Sequence, residues 1–297
     1  MGQNIRIRPK RISRTELNKW VRTLPDGSFQ LRTYSLSLLV LRRFLGEEWV
    51  GRHIRHGGDQ TGFFKQSQEM LNNRILALDH ITTVAKLADM LFNMQFTTNF
   101  DACLSQLSSA KGNQLETTYA ELETAMLLFR CRVPFRFVEP IQKRGFDYDF
   151  EIIMPGNTVV AADTKCKVTG LLCSERTVYN VLHDSIGQVP PSLPSFFFLK
   201  IPETWIQPAN DEMVMSGVRR FLSGTGRVAS VKIHVEHRFL PHPRKSEQTY
   251  IVKEIANPQC RFLRGQGWDI FVGVNNLREW HYISYFAGAK AFERRFV

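Results

Sequence analysis

Apolar positions along the chain recur at helical spacing in its first 112 residues and then switch to a mixture of helical and strand periods. Leu36, Leu39, Val40, Phe44 and Leu45 fall three and four apart, which predicts a helix over 35–49 within an otherwise mixed segment 1–60. Met70, Leu71, Ile75, Leu78, Ile81, Val84, Leu87, Met90 and Leu91 continue that spacing, so 61–112 reads as helical up to the polar break at 108–113. Beyond it, Tyr119, Leu122, Met126 and Phe129 form one stripe of a helix over 115–130, followed by a strand over 133–138. Residues 145–167 alternate as a β-hairpin whose arms are joined by the turn residues Pro155, Gly156 and Asn157. Then come an amphipathic helix over 175–189, a proline-rich link at 190–194 and a buried strand over 195–201. A helix over 211–222, a second hairpin (228–239 with 249–255) and a strand over 268–274 complete the pattern. The expected organisation is a basic, mainly helical region, 1–112, and an α/β core with C-terminal extension strands, 113–297.

The first hairpin is too polar for its surroundings. Strand side chains alternate faces, so Asp147, Asp149 and Glu151 share one face of the first arm, and Val159, Ala161, Asp163 and Lys165 share one face of the second. Around them lie Phe146, Phe150, Ile152, Ile153, Val160 and Ala162, the composition of a buried sheet. Two carboxylates and an ammonium in such a sheet cost several kcal/mol unless a cation or a substrate compensates them. Mg²⁺ suits this donor set, because it takes oxygen ligands and is held by one or two carboxylates plus substrate phosphate. Asp149, Asp163 and the backbone carbonyl of Thr164 are the candidate ligands. Lys165 would point into the same site, to orient a water or stabilise charge on a phosphate.

Asp149, followed fourteen residues later by Asp163-Thr164-Lys165, resembles the PD-(D/E)xK nuclease superfamily. The order helix, strand, acidic hairpin and following helix resembles it too, over about a quarter to a third of the chain. Tyr148 stands where the motif commonly has proline, and Asp163 where glutamate is commoner. The resemblance implies a restriction-endonuclease-like α/β core, a mixed central sheet flanked by helices. It implies hydrolysis of phosphodiester bonds in nucleic acid, DNA before RNA, by an endonuclease using Mg²⁺ or Mn²⁺. It also implies an acidic residue on the preceding helix. Glu121, which borders the buried side, is that candidate as a catalytic and metal-binding carboxylate, whereas Glu123 is expected to face solvent. Asp147 rivals Asp149 as the first ligand, and Gln188 at the end of the next helix could approach the site.

Composition supports an anionic partner. The 297 residues carry a formal charge of +11, and 43% of them are apolar, enough for a large core. Residues 1–60 hold twelve Lys and Arg against five acids. Within them Arg6, Arg8, Lys10, Arg11 and Arg14 read as an arm or edge strand that could follow a phosphate backbone. Arg219, Arg220 and Arg227 fit phosphate contacts and solvated charges equally well. No apolar run suggests a membrane span or signal segment, and five cysteines without Cys-x-x-Cys suggest a reducing, cytoplasmic setting. His53 with His56, and His234 with His237 and His242, lack a third ligand at zinc spacing. There is no phosphate-cradling Gly-rich loop and no Gly-x-Ser-x-Gly. The alternative function is a catalytically inactive nucleic-acid-binding or protein-interaction module on the same fold. A homodimer is compatible with either.

Overall fold

Ser13 accepts the backbone N–H of Glu16 and Glu16 reaches back to that of Ser13, a capping box that starts helix α1, Arg14–Thr23. In this computed structural model, residues 11–55, 74–110, 113–139, 141, 143–166, 172–205, 207–236, 250–262, 270–271 and 277–293 are described. Ser28 caps α2 (Phe29–Leu45), which ends at Gly46 with φ 91, a left-handed value that favours glycine. The helices α3 (Glu47–Val50), α4 (Arg74–Met94), α5 (Phe100–Ser109) and α6 (Asn113–Arg130) follow. Strands β1 (Phe135–Phe137), β2 (Phe150–Ile153) and β3 (Val159–Cys166) come next. Helix α7 (Glu175–Ser185), β4 (Ser195–Lys200) and α8 (Pro208–Ser223) precede β5 (Val228–Glu236), β6 (Tyr250–Ala256) and α9 (Ile283–Glu293).

The protein is α/β, with one mixed six-stranded sheet in the order β1-β2-β3-β4-β5-β6 flanked by helices. Strands β1, β2 and β3 are antiparallel, β3, β4 and β5 are parallel, and β6 returns antiparallel to β5. The continuous apolar run Phe196-Phe-Phe-Leu199 is what a central parallel strand requires, because helices cover both of its faces. One face, with Phe150, Ile152, Val160, Ala162, Phe196 and Phe198, joins Leu17, Leu36, Val84, Leu104 and Leu122 of the preceding helices in a single core. That core therefore runs through the N-terminal helices without a break at residue 112. The other face, with Ala161, Phe197, Leu199, Val231 and Ile233, packs on Val178 and Leu182 of α7 and on Val214, Val218 and Phe221 of α8.

Several expectations need correction. Of the expected arm or edge strand, residues 6–10 lie outside the described residues; residues 11–13 are not in a strand, Arg14 begins α1, and Ile12 is buried, tied to Gln95 through both its N–H and its carbonyl. The strand expected over 133–138 shrinks to three residues. The helix expected over 175–189 stops at Ser185, because Ile186–Gln188 turn ahead of the two prolines at 190 and 191. Of the strand expected over 268–274, Ile270 and Phe271 form a turn and the rest lies outside the described residues. Helix α9, with no expected counterpart, packs on α2 and α1. Among the described residues no helix is long and apolar enough to cross a membrane, and no two cysteines form a disulfide.

Helices α7 and α8 meet at Gly217, where an added Cβ would lie 2.7 Å from the carbonyl oxygen of Glu175 and 2.8 Å from the Cβ of Val178. Gly217→Ala gains about 1 kcal/mol of helix propensity. Overpacking against backbone costs roughly 1–3 kcal/mol, so the clash should win. The expected outcome is a melting temperature lower by a few degrees, read by circular dichroism. An unchanged or higher value would show that the two helices can move apart freely.

Candidate active site

The ladder between β2 and β3 ends at the pair Phe150↔Ala162, one residue short of Asp149. Asp149 then takes the place of the missing ladder bond: its Oδ2 accepts the backbone N–H of Thr164 at 2.6 Å, and its own N–H donates to Ala162 O at 3.0 Å. Asp163 and Lys165 share the face of β3 that Ala161 occupies, as alternation requires. Lys165 Nζ lies 2.9 Å from Asp163 Oδ2, with side-chain exposures of 20% and 1% respectively. Neither oxygen of Asp163 accepts a well-directed hydrogen bond, although both are buried. Lys165 Nζ also donates to Gln188 Oε1 at 2.6 Å, and Gln188 is held by its own N–H on Ser185 O.

Glu121 completes the group from α6. Burial pushes its carboxyl well above the usual range, and the negative charges of Asp149 and Asp163 add to this while Lys165 opposes it. Asp149 is likewise raised by burial, against the pull of Lys165 and the Thr164 N–H. Burial raises Asp163 to about 8, opposed by Lys165 and reinforced by Asp149. For Lys165 burial works downward, but Asp163, Asp149 and Glu121 together hold the ammonium above its ordinary value. Glu121 and Asp149 keep part of their surface open to solvent although protein surrounds them closely. The cluster is thus three carboxylates around a single ammonium, open on the side of Lys165.

The structure thus brings Glu121, Asp149, Asp163, Thr164 and Lys165 together, with Gln188 as a direct partner of the lysine. Asp147 stands apart from them. It lies in the loop before β2, and its carboxylate accepts the backbone N–H of Ile141 at 3.2 Å. Glu151, the third acid of that arm, is taken up by Arg136 and by the hydroxyl of Tyr148. Among the described residues no group of three or more His, Cys, Asp or Glu side chains meets at metal-ligand spacing. The carboxylates are neighbours without forming a closed cage. Two of them with a carbonyl are still an all-oxygen set that fits a hard divalent cation, and the buried carboxylate of Asp163, paired with Lys165 through Oδ2 alone, keeps an oxygen that such an ion would satisfy.

Glu123 does not face solvent. It is fully buried, with Lys86 on one carboxylate oxygen and Lys200 on the other, and both ammonium groups lie over the ring of Tyr119 at 5.8 and 5.5 Å. Its spacing held the signal, since Glu123 falls four residues after Tyr119 and three before Met126, on the apolar stripe. Of the basic arm, Arg6, Arg8 and Lys10 lie outside the described residues. Arg11 places its guanidinium 4.7 Å over the ring of Phe96, and Arg14 pairs with Glu279. Arg219 and Arg220 are paired with Glu212 and Glu175 on the outside of the second helical layer. His53 rests against Trp49 and His234 is buried beside Thr124, whereas His56, His237 and His242 lie outside the described residues. Comparison with protein-family models, with curated proteins and with solved structures gives no match to this chain.

The two glutamates of α6 should respond oppositely to neutralisation. Glu123→Ala removes the carboxylate that pairs with the buried Lys86 and the partly buried Lys200 and should lower the unfolding free energy by about 3 kcal/mol. Glu121→Gln replaces a carboxyl whose charged form is disfavoured by burial and by Asp149 and Asp163, so stability should hold or rise. Urea denaturation of both variants checks this, and equal losses would contradict the assigned environments.

Proposed function

We propose that the protein is a metal-dependent nuclease of PD-(D/E)xK type, with a restriction-endonuclease-like core, hydrolysing phosphodiester bonds of nucleic acid, DNA in the first instance. The observation that carries this reading is the convergence of Asp149, Asp163 and Lys165 from adjacent strands, with Glu121 reaching them from the preceding helix. No core-packing requirement explains three carboxylates beside one another at the end of a central strand pair. The overall charge of +11 favours a polyanionic substrate around this acidic centre.

Asp149, Asp163 and the Thr164 carbonyl would hold Mg²⁺ or Mn²⁺, with Glu121 adding negative charge from α6. The bound ion would lower the pKa of a coordinated water and neutralise charge on the scissile phosphate. The protein's own groups do the rest. The Thr164 N–H fixes the carboxylate of Asp149, so its free oxygen keeps one direction. Lys165 is aimed by two partners, Asp163 and Gln188, and remains a cation between them. Its remaining proton-donor capacity can orient the attacking water or stabilise charge on a phosphate oxygen. Partial exposure of Lys165, Asp149 and Glu121 leaves this centre reachable by a phosphate, while Asp163 stays behind them.

Incubation of the protein with plasmid DNA, with and without Mg²⁺ or Mn²⁺, tests the proposal. Lys165→Ala should reduce the cleavage rate by about 10²–10³ and leave DNA binding nearly unchanged, because it removes one electrostatic contributor and few phosphate contacts. Asp163→Ala should abolish cleavage together with any metal-induced rise in melting temperature. Asp147→Ala should cleave like wild type. Equal activity in all three preparations would indicate a contaminating enzyme. Binding without cleavage in the wild type would favour an inactive nucleic-acid-binding module.

A further inference from the structure

The turn that carries Gln188 is gripped by arginines. Arg227 donates from Nη2 to Ile186 O at 2.6 Å and from Nη1 to Val189 O at 3.5 Å, so its guanidinium clasps the backbone on both sides of Gln188. Arg261 donates to Pro191 O, and its backbone N–H is fixed on Gly226 O at 2.7 Å. Arg144 lies against the same turn: a Cβ built on Gly187 would meet its Nε at 3.5 Å. The loop of Arg144 is tied there by Gly145 N–H on Gly187 O at 2.8 Å and Asp147 N–H on Gln188 O at 3.2 Å. Three guanidinium groups from three separate segments therefore gather around residues 186–191.

Among the described residues no carboxylate stands within ion-pair distance of Arg144, Arg227 or Arg261, whereas the arginines of the nearby helix, Arg219 and Arg220, each have a glutamate. Asp147, the acid closest in sequence to Arg144, spends its carboxylate on the Ile141 N–H. Lys143 adds a fourth positive group, its ammonium 5.0 Å over the ring of the exposed Phe146. The mutual repulsion is felt at Arg227, where burial first and then Arg261 and Arg144 lower the guanidinium below its ordinary value. Fixing like charges together costs free energy that an unliganded surface has no reason to bear. Guanidinium forks are matched to phosphate geometry, and Arg144 and Arg261, both exposed, keep most of their donors available.

We propose that Arg144, Arg227 and Arg261 form a phosphate subsite for the nucleic-acid backbone, set beside the catalytic centre through Gln188. It rests on the nuclease reading and names the part of the surface that would hold the strand next to the bond being cut. Arg227 is the organiser, since its fork is engaged with the turn, and Arg144 and Arg261 are the phosphate contacts. The turn joins the subsite to the chemistry, because Gln188 hydrogen-bonds Lys165 while its neighbours are held by Arg227.

Fluorescence anisotropy of a labelled DNA duplex, titrated over a salt series without divalent ions, tests this separately from cleavage. The double variant Arg144→Ala/Arg261→Ala should bind at least about tenfold more weakly, with its log–log salt slope flatter by about two units, close to the −0.9 expected per phosphate contact. Arg219→Ala, which removes an exposed arginine already paired with glutamate, should bind like wild type. A circular dichroism melt of the double variant shows whether its fold is retained, and Arg144→Lys/Arg261→Lys should restore much of the slope by returning the charge. An unchanged slope in the alanine variant, or no duplex binding by the wild type, overturns the subsite. Cleavage with an unchanged slope would leave the nuclease reading standing without it. A flattened slope with no cleavage under any metal condition would keep the phosphate subsite and sink the nuclease.

Discussion

The local structure around β3 is governed by desolvated charge. Asp163 is buried, the charges of Asp149 and Glu121 act on it and on one another, and among the described residues Lys165 is the ammonium that opposes all three. Removing carboxylates from water costs several kcal/mol each, so such a cluster persists only where the surrounding packing is strong enough to hold it. That packing is supplied by the phenylalanine-rich β4 beside β3, with helices closing both faces of the sheet. Lys165 in turn depends on Gln188, and Gln188 depends on the turn that ends α7 early. The stability of the sheet thus sustains an arrangement that is itself unfavourable, which is the usual relation between a scaffold and a reactive centre.

Helix α6 serves both sides of this balance. Glu121 and Glu123 are two residues apart, so they project roughly 200° from one another around the helix axis. One enters the acidic cluster and raises its repulsion. The other lies between Lys86 and Lys200 and is fully satisfied. Identical side chains on one helix therefore have opposite energetic signs, set by the number of ammonium groups each meets. Lys86 comes from α4 and Lys200 from the end of β4, so this ion-paired cluster also ties the N-terminal helices to the sheet. This agrees with a hydrophobic core that runs without interruption from Leu17 and Leu36 to Phe196 and Phe198.

The basic charge, by contrast, is unevenly compensated. Much of it is paired on the surface, as at Arg42 with Glu47, Arg52 with Glu48 and Arg219 with Glu212, where each pair contributes little to stability. Around residues 186–191 it is not. Among the described residues an acidic centre therefore lies beside a basic turn that has no carboxylate within ion-pair distance.

Local periodicity alone determined a good part of this protein. Alternation placed Asp163 and Lys165 on one face of a strand, helical spacing marked α6, and the all-apolar run of β4 announced a buried central strand. These are consequences of covalent geometry, which each segment carries with it. The tertiary structure decided the partners. Asp149 was separable from Asp147 only once the ladder was seen to stop at Phe150, leaving Asp147 in a loop. Glu123 sat visibly on the apolar stripe, yet its burial became tolerable only through lysines 37 and 77 residues away in the chain. Arg227 differs from Arg219 and Arg220 by the turn it clasps and, among the described residues, by having no glutamate within ion-pair distance, neither of which has a sequence signature. The backbone of the buried Ile12 is likewise satisfied by Gln95, more than eighty residues on. Side-chain periods are written residue by residue, whereas the compensation of a buried charge is a property of whichever distant groups the fold brings within a few ångströms of it.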